Sequence, residues 1–395
     1  MKKKLLNIAL ASLFLGSLIG CSDWTDVKPK DYYEPLHNDA YYAQLRDYKM
    51  NTKHQVTFGW FGSWTAMGSS LQGSLMGLPD STDFVSMWGN WHSLTPEKMA
   101  DKKRVRELKG TRVMMCFIVA NCGDQTTPYE VRENWKENGF KSEDAAVKDF
   151  WGWKDGDQDA IDAAIRKYAK SIIDTMNKYD WDGFDFDFEA NYTNPGNIAG
   201  PHKGDNADPE VNRKYRKNML TFIQELGKYI GPKSGTDRLF VIDGEPQNMH
   251  PDARDYFDYY IIQAYSYQRT STDESLEWRY NHLLKGLEVD PADEEKAREI
   301  ASKLIYCEDF EYPGYADLGG SQQYKTRDGK LLPSLIGMAQ WKTKTGYTKG
   351  GVGTYHMEYD YKNNPEYKWI RAARGIMHAE DTGAELGLDK FYLNN

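Results

Sequence analysis

Residues 182–189 read Asp182-Gly183-Phe184-Asp185-Phe186-Asp187-Phe188-Glu189, and this stretch restricts the fold more than any other. Side chains alternate across a β-strand, so Phe184, Phe186 and Phe188 share one face and Asp185, Asp187 and Glu189 share the other. The phenylalanine face needs an apolar layer to pack against. The acids follow one another at ~7 Å along the strand, and a dry setting makes that spacing costly unless they share protons. Burial and like-charge crowding then raise the pKa of at least one of them, as a general acid working near neutral pH requires. The alternatives are a half-exposed strand with solvated acids, or a calcium loop, which would need glycine at its sixth position and tolerates bulky alternation poorly.

The rest of the chain supplies the missing layer. Short apolar runs recur at 56–60, 84–88, 113–119, 183–188, 239–242, 259–263, 303–307 and 351–355, giving eight candidate strands. Amphipathic stretches lie between several of them. From Asp159 to Tyr179, Ile161, Ile165, Tyr168, Ile172 and Met176 repeat at helical spacing. A second helix is expected from an Asp208 N-cap and Pro209, with the stripe Val211, Tyr215, Met219, Phe222, Leu226 and Ile230, and a third after Pro365 with Trp369, Ile370 and Met377. Strands alternating with helices imply a parallel sheet, and eight such units imply a closed (β/α)8 TIM barrel in a single catalytic domain. A doubly wound open sheet is the second choice, disfavoured because no glycine-rich phosphate loop is seen. In the barrel the phenylalanines face the helices, and the acids rise through the interior toward the C-terminal end, where barrel enzymes work.

The chain begins Met1-Lys2-Lys3-Lys4, then runs apolar from Leu5 to Ile19 and reaches Gly20-Cys21. A charged segment followed by a short apolar run reads as an export signal. The small residue before Cys21 resembles a lipobox, which implies cleavage before Cys21 and lipidation of its thiol. The expected division is a signal peptide over 1–20, a tether over 21–50 with a turn or helix at its end, and the barrel over 51–395. That places the protein in a bacterial cell envelope, lipid-anchored to the outer membrane and surface-exposed. With Cys21 lipidated, Cys116, Cys122 and Cys307 remain, an odd number that suggests no disulfide framework. Cys116 sits in an apolar run as a small core residue. No cysteine pair has zinc-ligand spacing, and neither a metal nor a cofactor is expected. The net charge of −9 argues against nucleic acid, which wants a basic face. Aromatic residues make up 14% of the chain, with 12 Trp and 27 Tyr. That is more than core packing needs, and sugars are commonly held on aromatic faces.

The segment from Asp182 to Glu189 resembles the D-G-x-D-x-D-x-E signature of glycoside hydrolase family 18, the chitinases and endo-β-N-acetylglucosaminidases. Asp182, Gly183, Asp185, Asp187 and Glu189 occupy every fixed position, on the fourth candidate strand as in that family. The resemblance extends over roughly Lys53 to His378 and is patchy outside this strand. It implies substrate-assisted, retaining hydrolysis. Glu189 would be the acid and base, Asp187 would hold the substrate's acetamido N–H, and Asp185 would tune Asp187 from behind. Asp182, lower down, would be structural. Gln263-Ala264-Tyr265 looks like the family's strand-six segment, whose tyrosine would bond the acetamido oxygen; an ordinary interface tyrosine is the alternative.

Two departures bear on substrate. Where chitinases of the family carry a serine and paired glycines after strand three, this chain has Ala120-Asn121-Cys122-Gly123, and where they place a tryptophan after strand eight it has Tyr355. The tyrosine resembles the endo-β-N-acetylglucosaminidase branch, and the long stretches at 123–154 and 191–206 would sit on the active face and shape a broad groove for a branched glycan. The expected activity is cleavage between the two core N-acetylglucosamines of N-linked glycans by a monomer. The alternatives are a chitinase and a glycan-binding lipoprotein with a silent barrel. Asn121, Gln263 and Tyr355 are candidate sugar contacts. Trp60 and Trp88, with Trp64 and Trp91, are candidate sugar platforms or core residues.

Overall fold

Each apolar run becomes one strand of a closed parallel barrel in the computed structural model. The strands are β1 (Val56–Phe61), β2 (Phe84–Trp88), β3 (Arg112–Ile118), β4 (Gly183–Phe188), β5 (Leu239–Gly244), β6 (Tyr259–Gln263), β7 (Leu304–Asp309) and β8 (Gly351–Tyr355). They pair in sequence order, and β8 closes on β1. Closure excludes the open doubly wound sheet. The structure describes residues 36–51, 53–89, 91–190, 196–200 and 209–393. The export signal, Cys21 and residues 22–35 of the tether therefore lie outside the described residues, as does Asp208.

The chain divides into two compact units, Met1–Tyr41 and Tyr42–Asn395. The described part of the first is residues 36–41. In the second, Tyr42 is buried and the Lys49 ammonium donates to the Thr82 carbonyl (2.6 Å) and to Thr111 Oγ1 (2.9 Å). Residues 42–50, read from sequence as the end of a tether, are thus part of the unit that carries the barrel. Tying down a buried ammonium takes specific acceptors, which no local periodicity announces.

Alternation on β4 is satisfied on both faces. Phe184, Phe186 and Phe188 are buried on the outside of the barrel, with Phe186 against Phe222 (5.5 Å between ring centres) of the helix Pro209–Leu226. Each such ring contributes ~1.5–3 kcal/mol relative to exposure. The helix Gln158–Tyr179 starts at an N-cap where Asp157 accepts from the Ala160 N–H, and it buries Ile161, Ile165, Tyr168, Ile172 and Met176. Tyr168 stacks on Phe222 (5.5 Å). The second expected stripe ends sooner than its periodicity suggested. Its helix stops at Leu226, and Ile230 is buried from the turn that follows. The third helix spans Lys368–Thr382.

Inside the barrel, alternate residues of neighbouring strands form one core. Val56, Phe58 and Trp60 of β1, Phe84 of β2, Met114 and Cys116 of β3, and Leu239 and Val241 of β5 belong to it. The upper layers of this core are where the apolar side chains give way to acids.

Candidate active site

Strand β4 carries Asp185 and Asp187 into the interior, 0% and 3% exposed, and ends at Phe188 so that Glu189 emerges half-buried at the C-terminal rim. At the other end of the strand, Asp182 accepts from the Val113 N–H (2.8 Å) and pairs with Arg106 (2.8 Å). That fastens β4 to β3 at the bottom of the barrel, far from the rim. Gly183 is required by the same close approach, since a Cβ there would lie 2.5 Å from the Leu239 carbonyl oxygen.

Register completes the cluster. Cys116 of β3 pairs with Asp185, and Asp243 of β5 pairs with Asp187. The Cys116 sulfur, an Asp185 oxygen and an Asp243 oxygen lie within 4.8 Å of one another. Trp60 donates its indole N–H to Asp185 Oδ2 (3.0 Å), and Gln263 of β6 donates its amide to Asp243 Oδ1 (2.9 Å). Asp243 is 1% exposed. The sequence reading missed it by ending the strand at Ile242. Its signal was the continued alternation Val241-Ile242-Asp243, which puts Asp243 on the inward face with Val241.

Among the described residues, no basic side chain pairs with Asp185, Asp187 or Asp243. Burial pushes Asp187 well above the usual carboxylate range, and the charges of Glu189 and Asp185 push it the same way. Asp243 is raised by burial and then by Asp187, Asp185 and Glu189. Burial also raises Asp185, partly opposed by hydrogen bonds that include those from Asp243, Cys116 and Trp60. These acids keep their protons in the fold at pH values where the unfolded chain has lost them. The cluster therefore lowers stability as pH rises from the ordinary carboxylate range upward, opposite in sign to a salt-bridged acid. Burial, and then the Asp185 charge, push the Cys116 thiol up as well. A thiol held neutral beside two acids that burial favours in their neutral form is a poor cation ligand, so the one group of three potential metal donors among the described residues is better suited to holding protons.

Above the acids lies an aromatic rim. Tyr355 at the end of β8 is half-buried, with the rings of Trp88, Trp60 and Tyr265 around it at 6.1, 6.2 and 6.3 Å. Tyr265 follows β6, and burial raises its hydroxyl pKa, so it stays a hydrogen-bond donor. The segment that bears it is held from beneath by Glu308 of β7, which accepts from the Ser266 N–H (2.9 Å) and from the Ser334 hydroxyl.

Several sequence candidates take other places. Trp60 is 2% exposed, so it supports Asp185 from below and offers no open indole face. Trp64 is equally buried, donating to Asp101 Oδ2 (2.9 Å), and Trp91 packs on Phe117 (4.9 Å). Of the four tryptophans, Trp88 alone is partly open. Asn121 Oδ1 accepts from the Asn197 N–H (2.9 Å), while the Asn197 side chain accepts from the Cys122 N–H (2.8 Å). Asn121 thus joins the loop after β3 to the loop after β4. Residues 123–154, read as one long loop, include the helix Glu143–Trp151. They enclose a side cavity of about 210 Å³ lined by Asn121, Arg132 and Trp151 among others, and by none of the four acids. Of the loop at 191–206, the described part is 196–200, a tight antiparallel bridge between Gly196 and Gly200.

Residues 19–376 match the family described as glycoside hydrolase family 18, BT1044-like. The chain belongs to glycoside hydrolase family 18. A solved structure of a selenomethionine BT1044 carrying a glutamate-to-glutamine change is 31% identical, with TM-score 0.68, over 85% of this chain and 91% of that one. The endo-β-N-acetylglucosaminidase F2 of Elizabethkingia meningoseptica is 24% identical over 339 residues, 80% of this chain and 77% of the relative. A variant endo-β-N-acetylglucosaminidase from Cordyceps militaris, solved with fucosyl-N-acetylglucosamine-Asn, shares the fold at 18% identity and TM-score 0.54, over 87% of this chain and 97% of that one.

In this family 18 barrel the position of Glu189 depends on the end of β5. Gly244 has φ +83°, and a Cβ there would lie 2.4 Å from the Phe188 carbonyl oxygen and 3.0 Å from Glu189 Cγ. Gly244→Ala is expected to lower unfolding stability by about 1–3 kcal/mol, the strain of a forced left-handed residue plus the clash. Turnover should fall more than substrate affinity, because the displaced group is Glu189. Denaturant midpoints and steady-state rates measure both; an unchanged midpoint and rate would show that the two strand ends are free to separate.

Proposed function

We propose that this family 18 hydrolase is an endo-β-N-acetylglucosaminidase that cleaves the β-1,4 bond between the two core N-acetylglucosamines of N-linked glycans, with retention at the anomeric carbon. The observation that carries the reading is the vertical order on β4. A half-buried carboxyl, Glu189, stands just past the end of β4 after two buried acids, and Tyr265, Tyr355 and Trp88 stand at or just past the same ends of β6, β8 and β2. A carboxyl at the rim can exchange protons with a ligand and with water. A buried acid one step below can receive an N–H from a ligand seated in the mouth.

In the proposed reaction Glu189 gives its proton to the glycosidic oxygen as the C1–O bond breaks. The substrate's own acetamido oxygen forms the new bond to C1, so a second protein nucleophile is not needed. Asp187 receives the acetamido N–H and balances the positive charge of the oxazolinium. Tyr265 donates to the acetamido oxygen and aims it at C1. The Glu189 carboxylate then takes a proton from water, whose oxygen bonds to C1 as the C1–oxazoline oxygen bond opens. The acetamide is restored and Glu189 is reset. Asp185, fixed by the Trp60 indole, lies behind Asp187.

The preference for N-glycans over chitin is supported by the similarity to endo-β-N-acetylglucosaminidase F2 and by the rim itself. A linear chitin chain calls for a continuous aromatic floor. Here Trp60, Trp64 and Trp91 have closed faces, so of the four candidate tryptophans only Trp88 stands partly open, beside Tyr355. Contacts with glycan branches would orient the core bond, so truncated glycans should lose rate as well as affinity. The expected result is release of glycan from a denatured N-glycoprotein, leaving one N-acetylglucosamine on each asparagine, with little action on chitin oligomers at equal enzyme. Faster hydrolysis of chitin oligomers than of every N-glycan tested would make the chain a chitinase; binding of glycan with no hydrolysis of either would make it a lectin-like barrel.

A further inference from the structure

The family signature on β4 does not include the acid on β5. Asp243 is buried opposite Asp187 in the ladder and within hydrogen-bonding reach of both Asp185 and Asp187. Its two oxygens are differentiated. Oδ1 accepts from the Gln263 amide (2.9 Å), whereas Oδ2 is buried without a partner, as are Asp185 Oδ1 and Asp187 Oδ1. Two carboxylates within hydrogen-bonding reach repel one another; a proton between Asp243 and its neighbours turns such a contact into a hydrogen bond. Gln263 already uses Oδ1 as an acceptor, so Oδ2 is the atom placed to carry that proton.

We propose that Asp243 is held as the neutral acid and donates through Oδ2 to the Asp185–Asp187 pair. It is a positioning residue that keeps Asp187 able to carry negative charge when the acetamido N–H must be received. The inference rests on the reading of Asp187 given above. The surroundings agree with it. The titratable groups facing Asp243 are Cys116 from β3, Asp185, Asp187 and Glu189 from β4, and Cys307 from β7, with Tyr265 after β6. None is basic. Burial of Asp243 and the charges of its three acidic neighbours all oppose its ionisation. A neutral donor gives Asp187 what a cation gives a carboxylate elsewhere, without bringing a charge that would repel the oxazolinium.

Two substitutions separate this role from simple packing. In Asp243→Asn the side-chain N–H replaces the acid O–H and the amide oxygen still accepts from Gln263, so kcat should stay within about tenfold of the unmodified chain. Asp243→Ala removes the donor to a charged group, which is expected to lower kcat by about 10- to 150-fold. It should also move the acid limb of kcat/KM to higher pH, because Asp187 without its donor ionises less readily, and Asn should restore that limb. Equal damage in both variants, or an acid limb that stays put in Asp243→Ala, would overturn the proposal.

A measurement on the resting protein needs no substrate. The infrared carboxylic-acid C=O band should persist at neutral pH and lose intensity in Asp243→Asn, and an unchanged band would place the proton elsewhere and end the proposal. Failure of the unmodified chain on all N-glycan and chitin substrates would instead remove the proposed activity, leaving the infrared result to stand for Asp243 as the proton holder.

Discussion

Replacing Glu189 by glutamine is expected to lower turnover by about 10²–10⁴-fold, the range that a positioned general acid supplies, while glycan affinity and unfolding midpoint stay near those of the unmodified chain. Glu189 follows the last β4 residue and is half-buried, so an amide of the same shape fits without opening a cavity. The strand end before it is held independently, with the Glu245 N–H donating to the Phe188 carbonyl (2.7 Å). What the amide cannot do is give a proton to the glycosidic oxygen or recover one from water. Initial rates on an N-glycoprotein, with calorimetric binding of the same glycan to both proteins, separate the two effects. Retention of more than a tenth of the original rate would remove Glu189 from the role of acid.

Asp187→Asn should also be severe, by a different route. The side chain is 3% exposed and bordered by Asp185, Asp243 and Glu189. Burial and the neighbouring charges already favour the neutral form of Asp187, so an uncharged amide of the same shape should leave the fold no less stable. The same neutrality removes the charge that faces the oxazolinium. Loss of one preorganised electrostatic partner lowers rates by about 10²–10³-fold, and that is the expected loss on intact glycan. A preformed sugar oxazoline should still be processed, because the step that most needs the charge has already been completed. If Asp187→Asn handles intact glycan at the normal rate, the acetamido group is not the nucleophile. The contrast between the two variants on the oxazoline assigns acid and stabiliser separately.

Much of the site was present in the sequence as local pattern. A period of two is a property of the strand itself. It placed the three phenylalanines outside and Asp185 and Asp187 inside before any partner strand was known. The eight apolar runs and the helical stripes between them specified a barrel, and Tyr265 and Tyr355 fell at strand ends because each follows an apolar run. Asp243 lay within reach of the same rule and was lost through a strand boundary set one residue too early, the usual place for local signals to fail.

What the tertiary structure decided is which side chains meet. Ring closure brings the Trp60 indole onto Asp185 across 125 positions of sequence, and register sets Asp243 against Asp187. Nothing in Trp60, Trp64, Trp88 and Trp91 taken singly distinguishes a closed ring from an open one. Trp64 is committed to Asp101 on the helix Pro96–Lys109, Trp60 to Asp185, and Trp91 to Phe117, while Trp88 keeps an open edge beside Tyr355. Asn121 likewise looks like a sugar ligand in sequence and proves to hold Asn197. The physical reason is the same in each case. Periodicity follows from the geometry of one strand or helix, but a side chain's hydrogen-bond partner and its solvent exposure depend on where distant strands and loops pass, and that is set only when the whole ring closes.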